Sequence, residues 1–90
     1  MNERKATVIV LAEDAAVELG ESFSMFIRSN DNNDYINAKA VEIDEQYFHL
    51  TIDHEMEPGA KVELVPAVPH EFVKGTISGA EADMTELGFS

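Results

Sequence analysis

Two of the three histidines have the neighbours that metal chemistry would need, because each is followed directly by a glutamate. His54-Glu55 and His70-Glu71 both fall in predicted turns close to a proline. Imidazole nitrogens and carboxylate oxygens bind zinc, and turns at one end of a small β-domain can converge on one ion. The spacing does not require such a site, and a polar turn explains both pairs. We therefore predict no metal site, and leave open whether His54 and His70 converge.

Neighbouring carboxylates are the second group of residues that could do chemistry. General acid–base catalysis needs two carboxyl groups whose surroundings separate their pKa values. The pairs in this chain fall in predicted turns or on outward strand faces, where water solvates both members: Glu13-Asp14, Asp44-Glu45, Glu55 with Glu57, and Asp83 with Glu86. The chain also has no cysteine, no serine in a nucleophile-elbow pattern and no glycine-rich phosphate loop. We predict that the protein is not an enzyme and carries no cofactor.

The polar run Asn30–Asp34 contains oxygen ligands of the kind that calcium prefers. The spacing of a calcium loop, with its central glycine and distal glutamate, is missing. Asparagine and aspartate tolerate left-handed backbone and bond to their own main chain in turns. The run therefore predicts a hairpin loop between two strands.

A predicted β-meander over residues 35–68 sets the positions of many of these candidate residues. Its predicted strands are Tyr35–Asp44, Tyr47–Asp53 and Lys61–Val68. Glu57-Pro58-Gly59 separates the last two strands, because proline fixes φ and glycine is free to take φ > 0. Within the first strand the apolar residues change parity, which predicts a β-bulge near Ala40-Val41.

The middle strand of the meander shows the clearest alternation. Phe48, Leu50 and Ile52 share one parity, and the remaining residues, Tyr47, His49, Thr51 and Asp53, share the other. This period of two is expected of a half-buried strand. The first set should face a core and the second set should face outward.

The rest of the chain predicts further short strands. We expect strands at Ala6–Ala12, Ser22–Ser29, Phe72–Ala80 and Met84–Phe89, with an irregular connection at Glu13–Leu19. Ninety residues make one domain, residues 1–90. The predicted fold is all-β: a small six- or seven-stranded antiparallel barrel with little helix.

The charge of the chain bears on its partners. Eighteen acidic residues against six basic ones give a formal net charge of -12. Nucleic acid and anionic membranes would be repelled, whereas a protein with a basic surface would be attracted. An acidic inhibitor that mimics a nucleic-acid backbone is the alternative. The apolar run after Arg4-Lys5 is interrupted by Glu13-Asp14, so it predicts a first strand rather than a signal peptide, and we expect a soluble, cytoplasmic protein.

The second half of the chain resembles a PilZ domain. The resemblance rests on the order of four segments, which are residues 38–52, the turn and strand Met56–Leu64, the strand start Phe72–Ile77, and the closing Glu86-Leu-Gly-Phe89. PilZ domains are bacterial six-stranded β-barrels that often bind cyclic di-GMP. The resemblance implies a role in bacterial signalling, motility or pilus regulation.

The nucleotide-binding motifs of that family are not present here. An Arg-x-x-x-Arg motif precedes the first strand in the family, but Arg4 is followed four positions on by Val8. In the second motif, Glu42 replaces Asp or Asn, Asp44 replaces Ser and Tyr47 replaces Gly. A carboxylate in place of a hydroxyl repels an anionic ligand, and a side chain in place of glycine blocks close backbone approach. We predict that the protein does not bind cyclic di-GMP.

We therefore expect a non-catalytic, PilZ-like adaptor or regulatory barrel that acts through protein–protein contacts. The predicted contact surface is the outer face of the meander with an acidic rim, formed by Glu42, Asp44, Glu45, Tyr47, His49 and Thr51. Acidic residues at the rim would steer a basic partner, an effect that weakens with added salt.

Overall fold

The computed structural model describes residues 5–89, which form a mostly-β fold with eight strands and three short helices. The strands are β1 Lys5–Leu11, β2 Ile27–Ser29, β3 Asp34–Ala38, β4 Ala40–Ile43, β5 Tyr47–Glu57, β6 Ala60–Leu64, β7 Ala67–Pro69 and β8 Val73–Ala80. The helices are α1 Ala15–Leu19, α2 Glu21–Ser24 and α3 Glu81–Glu86, and a 3-10 turn at His70–Phe72 links β7 to β8.

The first sheet has the strand order β2-β3-β1-β8, with every neighbouring pair antiparallel. Its central strand β1 has four consecutive buried residues, Val8–Leu11. A strand with no polar position over such a stretch must be covered on both faces. The predicted strand Ala6–Ala12 is thus confirmed as β1, whereas its place inside the sheet was not predicted.

The second sheet is built on β5, the longest strand at 11 residues. One side of β5 pairs with β4, and the other side pairs first with β7 and then with β6. The registers Phe48↔Val68 and Ile52↔Leu64 continue one another, so β6 and β7 extend one hairpin that is interrupted at Val65-Pro66. The predicted meander is confirmed from β4 to β7, but the first half of its predicted first strand, Tyr35–Asp44, forms β3 and belongs to the first sheet.

Two segments pass from one sheet into the other. Residues 34–43 pair with β1 as β3 and then with β5 as β4, and residues 67–80 pair with β5 as β7 and then with β1 as β8. The parity change predicted near Ala40-Val41 is present, but the strand is broken one residue earlier, at Lys39. Lys39 N–H donates to the Thr51 carbonyl (2.8 Å), which anchors the corner on β5.

The core has two parts, one on each face of the first sheet. The larger part lies between the sheets and contains the buried residues Ile9, Leu11, Ala15, Ile36, Ala38, Leu50 and Val68. The smaller part lies under α3 and contains Val8, Val10, Tyr35 and Met84, with Phe89 packed against it. Phe48 and Ile52 pack on the larger cluster, which confirms the inward parity of β5.

The predicted strand Met84–Phe89 is wrong, because α3 occupies most of this segment. Met84 is buried on the first sheet, Gly88 has φ 92°, and Phe89 N–H donates to the Met84 carbonyl (2.9 Å). A left-handed glycine, this hydrogen bond and the shared apolar contact of Met84 and Phe89 are the marks of a Schellman helix end. The glycine that suggested a strand ending therefore terminates a helix.

The other errors also concern short helices. The predicted strand Ser22–Ser29 is formed only at Ile27–Ser29, because α2 precedes it. Phe23 and Phe26, three residues apart, pack edge to face with ring centroids 6.3 Å apart, a spacing that suits a helical turn. The segment Glu13–Leu19, predicted as irregular, contains α1. The loop before Asp34 is confirmed as a β2–β3 hairpin connection.

The barrel prediction is confirmed only in its coarser part. The described strands form two antiparallel sheets rather than one hydrogen-bonded closed barrel, and their number exceeds the expected six or seven. Within residues 5–89, none of the helices has the length and apolar character needed to cross a lipid bilayer.

Candidate protein-interaction surface

The predicted surface residues lie together on the outer side of the second sheet and in the turn that joins β4 to β5. Tyr47, His49 and Thr51 have the parity opposite to the buried Leu50. Strand register places Glu42 directly across from His49, on the outward face of β4. Asp44 and Glu45 are exposed in the connecting turn.

Asp44 fixes the conformation of that turn. Its Oδ1 accepts hydrogen bonds from the backbone N–H groups of Gln46 (2.8 Å) and Tyr47 (2.7 Å). Its own N–H donates to the Tyr47 carbonyl at 3.0 Å. An aspartate that bonds to main-chain groups two and three residues later is a common way to stabilise a turn. The turn residues next to β5 are thereby held in one arrangement.

The second oxygen of Asp44 holds His49. Asp44 Oδ2 lies 2.6 Å from His49 Nε2. The hydrogen bond from His49, together with those from the backbone N–H groups of Gln46 and Tyr47, lowers the pKa of Asp44 to about 2. Because the carboxylate is therefore ionised near neutral pH, Nε2 must carry a proton to donate. Nδ1 is then the acceptor nitrogen left for another partner whenever the ring is neutral.

The aromatic part of the surface is formed by Tyr47 and His49. Their ring centroids lie 6.2 Å apart with planes tilted by 56°. Tyr47 is 38% exposed, and the His49 side chain is 35% exposed. Both rings therefore offer partly open faces, and the Asp44 bond restricts the rotation of one of them. A restrained aromatic pair loses little conformational entropy when a partner covers it.

Small side chains surround these rings and keep the surface shallow. Strand register places Ala67 opposite His49, Pro69 opposite Tyr47 and Ala40 opposite Thr51. All of them lie at least partly open to solvent. A flat face of this kind suits another protein better than a small molecule, which is generally bound in a concave pocket.

Lys39 partly neutralises the acidic residues at one end of the surface. Its Nζ lies 3.8 Å from Asp53 Oδ1 and 3.5 Å from Glu63 Oε2. All three side chains are about half exposed or more, at 59%, 49% and 56%, so solvent screens these pairs strongly. At the other end, Glu42 and Glu45 carry exposed carboxylates beside the Asp44–His49 pair.

No protein-family model, curated protein or solved structure matches the chain.

The structure does not bring His54 and His70 into one site. The predicted turn at His54-Glu55 is wrong, because both residues lie within β5, whereas His70 begins the 3-10 turn after β7. The His54 ring packs against Phe26 with centroids 6.4 Å apart, and the His70 ring packs against Phe48 at 4.7 Å. Among the side chains that the structure describes, no group of three or more histidine, aspartate or glutamate residues is arranged to hold a metal ion. These rings extend the apolar packing at the rims of the second sheet.

A polar groove of about 610 Å³ lies elsewhere, between the start of α1 and the loop before β3. Acidic side chains, including Asp14, Asp31 and Asp34, line it together with Lys74. Asp14 has φ 69°, the only left-handed non-glycine residue in the described chain. The groove contains none of the residues predicted for the contact surface.

Sequence reasoning missed the small residues that set the shape of the surface. Ala40 could have been placed there by its parity relative to Glu42, since both lie on one predicted strand. Ala67 and Pro69 could not, because their place depends on the pairing of β7 with the first residues of β5. The Asp44–His49 bond could have been suspected from the aspartate that opens the turn, but its second contact depends on the turn geometry.

Proposed function

We propose that the protein is a non-catalytic adaptor or regulatory domain that acts through contacts with another protein. The contact surface comprises Glu42, Asp44, Glu45, Tyr47, His49 and Thr51. The observation that carries the proposal is the Asp44–His49 pair, which holds an exposed acidic turn and an aromatic ring in a fixed arrangement on a shallow face. Such preorganisation favours binding because fewer side chains need to be ordered on contact.

A PilZ-like barrel in the bacterial cytoplasm is the setting that we propose for this function. The meander of β4, β5 and β6 supports that resemblance through its order. The two segments that cross between the sheets, residues 34–43 and 67–80, also support it, because they link the sheets at two corners as a small barrel requires.

We also propose that this domain does not bind cyclic di-GMP. Val8, at the position of the family's second motif arginine, is completely buried in β1 and has no charge to offer. Asp44, at the position of the motif serine, is an ionised carboxylate that already accepts three hydrogen bonds. Tyr47 presents an aromatic ring where the motif has glycine. Titration calorimetry that detects micromolar or tighter binding of cyclic di-GMP would contradict this part of the proposal.

The partner that fits this surface has basic groups opposite Glu42 and Glu45. A positively charged side chain could approach these carboxylates while an adjacent apolar or aromatic group covers Tyr47. Mimicry of a nucleic-acid backbone has less support. That function calls for a continuous stripe of carboxylates, whereas Lys39 and the aromatic pair interrupt the acidic residues on this face.

A quantitative affinity capture tests the surface. The double variant Tyr47→Ala/Asp44→Lys removes the exposed ring and reverses the charge that holds His49. The matched control Val17→Ala/Glu18→Lys makes the same types of change on α1, where Val17 is 79% exposed. We expect a protein that is recovered with the wild type and the control to be lost with the surface variant. Equal recovery with all three forms would contradict the proposed surface.

A further inference from the structure

Strand β8 forms one of the two edges of the first sheet, and its outer backbone groups pair with no other described strand. β8 pairs with β1 on one side, and within residues 5–89 its other side has no strand partner. The last part of β8, Gly75–Ala80, contains neither a charged residue nor proline. Natural proteins use charges, prolines, bulges and short strands to prevent an edge from pairing with another chain. Along β8, such protection is confined to Lys74, beside the register shift near its start.

Each of the other exposed edge strands is short and carries a charged residue or a proline. β2 has three residues and includes Arg28, and β7 has three residues and ends in Pro69. β4 carries Glu42, and β6 has the charged residues Lys61 and Glu63 within its five residues. An unprotected run of six residues, 75–80, is therefore peculiar to β8 among the described edges.

The sequence of this run is self-complementary when it is paired with an identical copy in the antiparallel direction. Residues 75–79 read Gly-Thr-Ile-Ser-Gly, so a hydroxyl residue and then a glycine follow Ile77 in both directions. A two-fold axis at Ile77 would place Gly75 opposite Gly79 and Thr76 opposite Ser78. In an isologous contact each such pair occurs twice, once on each side of the axis.

In this register, the hydroxyl side chains of both copies also lie on the same face of the combined sheet. Thr76 and Ser78 are exposed on one face, where Ser78 Oγ lies 3.0 Å from Thr7 Oγ1 on β1. Pairing about Ile77 would extend this row of hydroxyl groups from β1 through β8 into the second copy. Hydroxyl pairs across neighbouring strands are favourable contacts in antiparallel sheets.

Gly75 leaves room for a neighbour at this edge. Its φ is not in the left-handed region, and a Cβ added to it would meet no atom within 4 Å. Neither backbone conformation nor packing within the described chain therefore requires glycine at this position. A glycine inside a strand weakens it and often marks a bulge, such as the one beside Gly75, or the close approach of another backbone.

We propose that two copies of the chain associate through antiparallel pairing of β8 around Ile77, forming one continuous sheet across the two-fold axis. The paired residues 75–79 carry no charge, and each Lys74 falls opposite Ala80, so this register brings no like charges face to face, although each chain has a formal net charge of -12. The two chains as a whole repel one another, and salt screens that repulsion. The Debye length falls from about 30 Å at 0.01 M salt to about 3 Å at 1 M. Dimerisation should therefore strengthen as salt is added.

Sedimentation equilibrium over a wide range of protein concentration, at low and at high NaCl, tests the proposal. The wild type should form a dimer more readily at high salt. The variant Thr76→Glu/Ser78→Glu places glutamates opposite one another twice, and should weaken dimerisation about tenfold or more. The control Ser22→Glu/Ser24→Glu adds the same charge at exposed positions of α2 and should have a much smaller effect.

Mixing two variants tests the register and excludes a simple folding defect. The glutamate variant mixed with Thr76→Lys/Ser78→Lys should form a heterodimer, because each glutamate then faces a lysine. A wild type that stays monomeric at every concentration and salt level would overturn the proposal. So would equal weakening by the β8 and α2 glutamate variants, or a mixture of the charge-reversed variants that fails to associate.

Discussion

Asp44 and His49 form a hydrogen-bonded pair across the β4–β5 turn, with Oδ2 and Nε2 2.6 Å apart. The same carboxylate accepts two backbone N–H groups of the turn. One side chain therefore links the conformation of the turn to the position of a ring on the exposed face of β5. This link makes the proposed contact surface dependent on the ionisation of Asp44.

The depressed pKa of Asp44 predicts a specific dependence of stability on pH. The pKa is about 2 in the folded protein and 3.8 in the reference state, so folding favours the ionised form. The stabilisation is complete above the unfolded pKa and is lost as pH falls through the folded pKa, between about 4 and about 2. An NMR titration of the Asp44 carboxyl carbon should show its midpoint near the lower value. A midpoint at the ordinary value would contradict the hydrogen bonding described here.

The variant Asp44→Asn should be less stable than the wild type above that range, because an amide group cannot act as an anionic acceptor for His49. The difference in free energy of unfolding should shrink as pH is lowered, since the wild-type carboxylate is then protonated. Urea unfolding at several pH values measures this difference. Asp31→Asn, an exposed change in the loop before β3, is the control, and its effect on the free energy of unfolding should depend less on pH.

Gly79 and Gly75 should respond differently to replacement by alanine. A Cβ at Gly79 would lie 2.8 Å from Met84 Cε, whereas a Cβ at Gly75 would meet nothing within 4 Å. Met84 is buried between α3 and the first sheet, but Cε is the end of a flexible side chain, so its displacement should cost no more than about 1 kcal/mol. Gly75→Ala should instead leave stability unchanged or raise it by up to about 1 kcal/mol. Urea unfolding of dilute protein measures both, and equal effects would contradict the position of α3 on β8.

Leu50 should contribute more to stability than any exposed apolar residue of the second sheet. It is completely buried between the sheets, whereas Val62 on β6 is 40% exposed. Leu50→Ala removes buried methyl groups and leaves a cavity, so it should lower the free energy of unfolding by about 2–5 kcal/mol. Val62→Ala should lower it by less than about 1 kcal/mol. Comparable losses for the two variants would show that β5 does not face the core in the register described.

The ion pairs of Lys39 should contribute little to stability. Both pairs are exposed, so Lys39→Ala should change the free energy of unfolding by less than about 1 kcal/mol. The change should become smaller still in high salt, because screening already weakens these contacts. Chemical denaturation at two salt concentrations measures the effect. A large loss of unfolding free energy would mean that the substitution disturbs the backbone corner at Lys39 and does not merely remove a charge.

The sequence predicts the β-meander because alternation in β5 is direct evidence of which face is buried. Leu50 is buried and Tyr47 is exposed, as their parity requires. Helix α3 was missed because Leu87 and Phe89 share strand parity, although Gly88 followed by Phe89 also fits a helix end that packs on Met84. A helix as short as α2 is marginal by itself and depends on tertiary packing, here that of Phe23 and Phe26 on the core between the sheets.

The candidate site was predictable in part. The outward parity of Tyr47, His49 and Thr51 follows from the strand pattern alone, and the structure places Glu42 and Asp44 beside them. The positions of Ala67 and Pro69 on this surface depend on long-range pairing, since β7 is about twenty residues away in sequence from the part of β5 that it pairs with. The register between strands that are distant in sequence is set by packing in the assembled core, so it cannot be predicted from a local sequence pattern.

Site-specific photo-crosslinking in cells tests the contact surface most directly. A benzoyl-phenylalanine in place of Tyr47 keeps an aromatic ring on the exposed face, and the same residue in place of Val17 on α1 serves as the control. We expect irradiation to give a discrete covalent adduct with another protein from position 47, and none from position 17. No adduct from position 47, or the same adduct from both positions, would contradict the proposal that this face of the second sheet binds the partner.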